Sequence, residues 1–410
     1  MTELSFRTLQ DAVAGRGAAI RAVTRLQPAG GPGDKVFPPT YQGGVYVDED
    51  RWLDGEQVRC VLLDSVQSQA NRMEEALLEA QRLGRMTLPS LEVDFGAVGL
   101  PQYGRLSVLQ APHRIADAIL RDSWCDGEPF RKSPIGQRFV SARPLNATGL
   151  LETCPTALVF GVWDSTGFGT GGLGAKFARV VASEIVGVGV VEGRRAAVRV
   201  DPLGIQKQAA TIYESDGPFG WTPDEKKARH DDKQQPIRLK RGGTAADAGR
   251  PSVINHGNII TDIGRGGVTF RYALQTTVLS LAGLRKLRFP DEQGRDTPGR
   301  DLAARTYLAA LGLCAIALQY EAGYDLRSRC VLVPEARRTE LVPNHVAPAE
   351  EIALSADGAI KIYEEARGAA EKEGFQLSQS VTLRPSAELE QLIKRNELLI
   401  EAGPIEEPGG

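Results

Sequence analysis

"VRCVLLDSVQSQANRMEEALLEAQRL", residues 58–83, decides how the chain is read. Its opening, VRCVLLD (58–64), is a short apolar run and predicts a buried strand. The remainder predicts a helix over 65–83, because Val66, Ala70, Met73, Leu77 and Ala80 recur at helical spacing and make one apolar face. Asp64 is the expected N-cap, with Gln67 at the reciprocal capping-box position. On the polar side Gln67, Asn71 and Glu75 follow one line, with Ser68 and Arg72 beside them. Amides, a hydroxyl and a guanidinium suit sugar and phosphate oxygens. An ordinary solvated helix face is the plainer account, and Asp64 works against an anion at that helix start.

Around this unit the chain mixes strands and helices without steady βαβ alternation. TALVFGVW (156–163) and RCVLVPE (329–335) predict strands, and VGVGVVEGRRAAVRVD (186–201) predicts a hairpin turning at Glu192-Gly193. GGVTFRYAL (266–274) alternates as a strand. Helices are expected over 175–187, 276–287, 301–323, 360–373 and 386–399. Residues 84–155 read as an elaborate insertion. Residues 215–250 are polar, charged and poor in apolar side chains, which fits a flexible arm or long hairpin. A small sheet covered by helices on one face, with long insertions, is the expected α+β architecture.

Bulk properties narrow the class. The 410 residues suffice for two ordinary domains or one core with large insertions. Five widely spaced cysteines, with no C-x-x-C pair, argue against a disulfide framework or a zinc site and for a reducing cytosol. The N-terminal MTELSFRTLQD lacks the pattern of a signal peptide, and the longest apolar run, 308–318, is too short to span a bilayer. A soluble cytoplasmic protein without a membrane partner is expected. The net charge of −3 is uneven: residues 348–410 hold thirteen acidic and six basic residues, leaving +4 on residues 1–347. Basic clusters at 130–143, 193–200 and 284–289 make local fields that matter more than the sum.

The segment 158–181 poses a separate question. Gly169, Gly171 and Gly174 fit G-x-G-x-x-G between a predicted strand and a predicted helix, and Glu192 follows at the distance of a ribose-binding acid. A dinucleotide-dependent oxidoreductase using the Gly169–Gly174 loop is therefore one reading. Against it, WDSTGF separates the strand from the first glycine, no doubly wound repeat surrounds the loop, and no Walker Ser or Thr follows Lys176. The loop's physics also suits a nucleic-acid phosphate, with backbone N–H groups at Gly171 and Gly172, a helix start and Lys176. A plain structural turn is the third reading. No catalytic constellation, metal-ligand spacing or cofactor motif stands out elsewhere. Phe37 and Tyr41 in GDKVFPPTYQGG (33–44) are placed to stack on bases, or to anchor their loop on the core. INHGN (254–258) and GRGGV (264–268) offer amides, an imidazole, Arg265 and glycines in two nearby loops.

KVFPPTY (35–41), CVLLDSVQSQANRMEEAL (60–77), NHGNI (255–259), GGVTFRYALQTTVLSLAGLRKLRFP (266–290), AARTYLAALGLCAIAL and GYDLRSRCVLVP (303–334) together resemble one family. It is the backbone subunit of the type I-G (formerly I-U) CRISPR Cascade effector, in the repeat-associated RNA-binding (RAMP) superfamily. The resemblance covers most of residues 20–340. It implies a modified RRM-like (ferredoxin-like) palm with a helical finger insertion and a projecting thumb. It further implies a non-catalytic protein, without cofactor or metal, whose copies coat one guide RNA (crRNA) and present it to target DNA. Other Cascade subunits and a recruited helicase-nuclease would be its partners in antiviral defence. On that resemblance, residues 1–83 start the palm, with VRCVLLD and helix 65–83 as its first strand and helix. Residues 84–155 are finger-like, 156–214 continue the palm with the glycine loop, and 215–250 are the arm or thumb. Residues 251–340 complete the palm, and 341–410 form an acidic helical C-terminal region. The carried-over guide contacts are Lys35, Gln67, Ser68, Asn71, Arg72, His256 and Asn258. Lys176, Gly171, Gly172 and Arg265 join them on physical grounds alone. A guide-directed ribonuclease, as in type III relatives, is a further alternative, for which no catalytic Asp can be nominated.

Overall fold

The computed structural model describes residues 2–165, 174–196, 198–240, 248–260 and 263–401. It divides into two compact units, Met1–Val190 with Phe270–Gly410, and Val191–Thr269. The first is built on a nine-stranded sheet. Its strands are β1 (Thr2–Glu3), β2 (Gly17–Pro28), β3 (Asp48–Leu53), β4 (Glu56–Asp64), β5 (Val181–Val188), β6 (Tyr272–Ser280), β7 (Tyr324–Arg327), β8 (Cys330–Pro343) and β9 (Glu350–Ala353). Their order is β1-β9-β8-β2-β6-β5-β4-β3, with β7 paired to β8.

The four central strands run β8-β2-β6-β5, and each neighbouring pair is antiparallel. Helix α1 (Val66–Arg82) lies in the chain between β2 and β5, and α2 (Pro298–Ala322) between β6 and β8. Taken with these helices, the central strands follow one another along the chain in the order β-α-β-β-α-β. The fold is thus α+β. Alternation along the strands sends Ile20, Ala22, Thr24, Val181, Ser183, Ile185, Gln275, Thr277 and Leu279 into the buried layer beneath the helices. Arg21, Val23, Arg25, Ala182, Glu184, Leu274, Thr276 and Val278 occupy the opposite, less covered face. There Arg21 pairs with Glu340 at 2.7 Å across the β2–β8 ladder.

Helix α1 matches its periodicity, burying Ala70, Met73, Leu77 and Ala80. Helix α2 is apolar on all sides. It is long and apolar enough to cross a membrane by length and composition, yet its apolar window is 89% buried in the fold, as befits a core helix. Two further helices, α3 (Ala356–Lys372) and α4 (Ala387–Glu401), follow near the C-terminus. Between them Ser380–Pro385 pairs in parallel with Ser90–Asp94, at the centre of a five-stranded sheet otherwise drawn from residues 90–129. The C-terminal region therefore shares a sheet with the 84–155 segment.

Several local expectations are corrected. Residues 175–187 form the short strand Lys176–Phe177 and then β5, not a helix. Val181, Ser183 and Ile185 face in while Ala182 and Glu184 face out, so β-branched residues at period two prevail over the weaker helical pattern. The apolar run 156–163 is instead helix Pro155–Phe160 followed by strand Val162–Trp163. A fully buried run carries no period, and Pro155 at the first turn is its helix signal. Residues 276–280 belong to β6, and only Leu281–Leu284 is helical. No hairpin turns at Glu192-Gly193, because β5 pairs with β6 whereas Val191–Arg195 pairs with Gly264–Thr269. Residues 17–28, for which no strand is expected, form β2 at the centre of the sheet.

The Val191–Thr269 unit is inserted in the chain between β5 and β6 and contains the 215–250 segment. It is held by short antiparallel pairs: Val191–Arg195 with Gly264–Thr269, Val198–Arg199 with Ile259–Ile260, and Tyr213–Glu214 with Trp221–Thr222. Its apolar cluster is small, centred on Ile212, Leu239 and Val253.

Candidate nucleic-acid interface

The junction of β4 and α1 is organised by a buried carboxylate. Ser65, not Asp64, caps α1, accepting the Ser68 N–H at 3.2 Å. Asp64 is fully buried at the strand end. Its Oδ1 accepts from the Ser68 hydroxyl at 2.8 Å and Arg327 Nη2 at 3.2 Å. Its Oδ2 accepts from Gln69 Nε2 at 2.6 Å and Arg72 Nε at 2.9 Å. A charge taken from water is tolerated only with such pairing. Arg72 also donates to the carbonyls of Asp325 (3.1 Å) and Leu326 (2.6 Å), tying the helix to β7.

Two of the four predicted α1 contacts, Ser68 and Arg72, thus turn inward onto Asp64. Gln67 and Asn71 remain exposed along the outer line with Glu75. Lys35 enters the same neighbourhood through the β7–β8 turn. Its Nζ lies 5.7 Å from the Phe37 ring centre, and the Arg329 guanidinium lies 5.6 Å from the same ring. The Phe37 N–H donates to the Arg329 carbonyl at 3.0 Å. Phe37 therefore anchors its loop and carries two cations. Arg72 and Arg327 meet at the Asp64 carboxylate, and Lys35 and Arg329 meet at the Phe37 ring. Arg327 and Arg329, which the sequence reading did not single out, come from the RSRC segment at the turn between β7 and β8.

Beneath the junction a polar network crosses the core. Gln69 Oε1 accepts from Ser183 Oγ (3.0 Å) and Gln275 Nε2 (2.8 Å), and Gln275 Nε2 also reaches Gln319 Oε1 at 3.1 Å. The Tyr324 hydroxyl donates to Gln275 Oε1 at 2.9 Å and accepts from Arg337 at 3.1 Å. Members from β5, β6, β7, β8, α1 and α2 hold one another in register, which fixes the helix start relative to the sheet.

Gly171 and Gly172 lie outside the described residues. The ends of their loop are held by an antiparallel pair, Val162–Trp163 with Lys176–Phe177. The helix start expected after Gly174 is a strand, so the positive helix end that a pyrophosphate would meet is not there. Lys176 is exposed, with its Nζ 5.4 Å from the Trp163 ring centre. His256, Asn258 and Arg265 belong to the Val191–Thr269 unit. Asp201, buried, accepts from the Leu203 N–H at 2.9 Å and from the Gly257 N–H, with His256 Nδ1 3.8 Å away. Asn258 Oδ1 accepts the Asp201 N–H at 2.8 Å. The NHGN turn is thus folded onto Asp201, which occupies the Asn258 carbonyl. Arg265 stands opposite Arg194 in the strand register.

All five cysteines are buried and unpaired, and burial raises the Cys330 thiol to about 11. Among the described residues no group of three or more His, Cys, Asp or Glu is placed to hold a metal ion.

Comparison with known proteins bears on the same region. The model of a family described as CRISPR-associated protein GSU0053 matches residues 20–192, which take in most of β2 and all of β3, β4, α1 and β5. No curated protein matches. The match, over less than half of the chain, indicates a CRISPR-associated protein and supports a role in CRISPR defence.

Proposed function

We propose that this CRISPR-associated protein is a non-catalytic, cytoplasmic guide-RNA-binding backbone subunit of the type I-G kind. Copies of it line one guide and hold it for pairing with target DNA. The observation that carries this reading is the exposed line of Gln67 and Asn71 on α1, tied through Arg72 to β7, with Lys35 and Arg329 on the Phe37 ring at the β7–β8 turn, in a chain of net charge −3. Cations and amides at one strand–helix junction grip a sugar-phosphate backbone without reading bases. The β-α-β-β-α-β order supports the palm, and the unit inserted between β5 and β6 is our thumb.

The test is co-expression. Chain made with its guide is expected to co-purify with RNA protected from ribonuclease, in particles larger than the chain made alone. Protein that stays monomeric and free of RNA in both cases overturns the reading. Within the site, the Gln67→Ala, Asn71→Ala double variant is expected to keep its thermal midpoint while losing RNA at lower salt than wild type. Undiminished salt resistance would remove these amides from the interface.

A further inference from the structure

We infer that Trp163 and Lys176 form a platform on which one unpaired nucleotide rests, its base on the indole and its phosphate at the ammonium. This rests on the nucleic-acid reading above and adds a residue pair to it. Trp163 and Lys176 are directly opposite in the ladder that joins Val162–Trp163 to Lys176–Phe177. Cross-strand partners point to the same side. Their neighbours Val162, Asp164, Ala175 and Phe177 are all buried, so alternation turns these two side chains out together. Trp163 is 63% exposed, and Lys176 Nζ sits 5.4 Å from its ring centre.

The backbone beneath is held by two buried ion pairs. Arg114 donates to the Gly161 carbonyl at 3.1 Å and to both carboxylate oxygens of Glu74 at 2.7 Å. Arg131 pairs with Asp164 at 2.8 Å. All four charged side chains are buried. Ion pairs removed from water are a poor source of net stability, and their best use is to fix geometry. Here they fix the backbone beside an indole that is 63% exposed. A nucleotide supplies both complements at once, an aromatic face for the ring and an anion for the ammonium.

The test uses the full chain, with and without its guide, and the variants Trp163→Ala, Trp163→Phe and Lys176→Ala. Indole emission is followed on adding guide RNA to the RNA-free chain, and on adding a short oligodeoxythymidylate to the guide-loaded complex. Quenching that disappears in Trp163→Phe is expected in one arm or the other. The first arm assigns the platform to the guide, the second to a DNA strand. In that arm Trp163→Ala is expected to bind at least about fivefold more weakly, with Trp163→Phe between it and wild type. Lys176→Ala is expected to flatten the salt dependence by about one ionic contact. Unquenched Trp163 emission and wild-type affinity of Trp163→Ala in both arms overturn the inference. So does a loss of particle mass in Trp163→Ala at unchanged oligonucleotide affinity, which assigns the pair to a neighbouring copy. If the chain takes up no RNA, the backbone reading fails, and the oligodeoxythymidylate titration of the chain alone still decides this one.

Discussion

Asp64→Ala is expected to lower folding stability by about 3–5 kcal/mol, read as a lower urea midpoint at unchanged slope. The carboxylate is fully buried and accepts from Ser68, Gln69, Arg72 and Arg327. Removing it leaves the Arg72 and Arg327 guanidinium groups without this counter-charge, and leaves donors on Ser68 and Gln69 unsatisfied. Asp64→Asn keeps an acceptor oxygen but not the charge, and belongs between Ala and wild type. The Ala variant is also expected to retain less RNA, because α1 loses the contact that fixes its first turn and Arg72 and Arg327 lose their shared carboxylate. A stability loss below about 1 kcal/mol would show that the carboxylate is not the anchor of this junction.

Arg114→Met is the second large effect, expected at about 3–5 kcal/mol near neutral pH. Arg114 is the bidentate partner of Glu74, which is almost fully buried in the first unit. Burial pushes the Glu74 carboxyl up to about 7, against the opposing pull of Arg114. The sign of the pH effect follows. Between the ordinary value of 4.5 and about 7, the folded chain holds a proton at Glu74 that the unfolded chain has released. Stability from this group is therefore full below 4.5, falls as pH rises through that window, and is flat above it. Glu74→Gln is expected to abolish this part of the slope. Denaturant midpoints of wild type and Glu74→Gln across the window check it, and identical slopes would show that the carboxyl titrates in its ordinary range.

Elements with strong local signals were legible in residues alone. The strand and helix of 58–83, the buried helix within 298–322, the strand beginning near 330 and the two C-terminal helices each announce themselves by period or by a long apolar run. The polar 215–250 segment stood apart by composition, and it lies in the unit that is structurally separate. The reading differs from the structure where a fully buried run carries no period, at 156–163, where two periods compete within a short run, at 175–187, and where a strand has no local mark. β2 is such a strand: GAAIRAVTRLQP becomes one by pairing with β6 and β8, whose residues lie far along the chain.

The candidate site divides in the same way. That the start of α1 carries amides, a hydroxyl and a guanidinium is a property of the sequence, as are the cations that surround it. Which of them reach solvent was decided by the tertiary fold. Ser68 and Arg72 turn onto Asp64 because burying that carboxylate demands donors, and α1 is the element nearest to supply them. Arg327 and Arg329 arrive from the β7–β8 turn, whose position depends on pairing with β2. A chain's own letters set the period of each segment, since period follows from neighbours a few residues apart. Partnership of charges across the sheet depends on contacts that form only once the strands are in register.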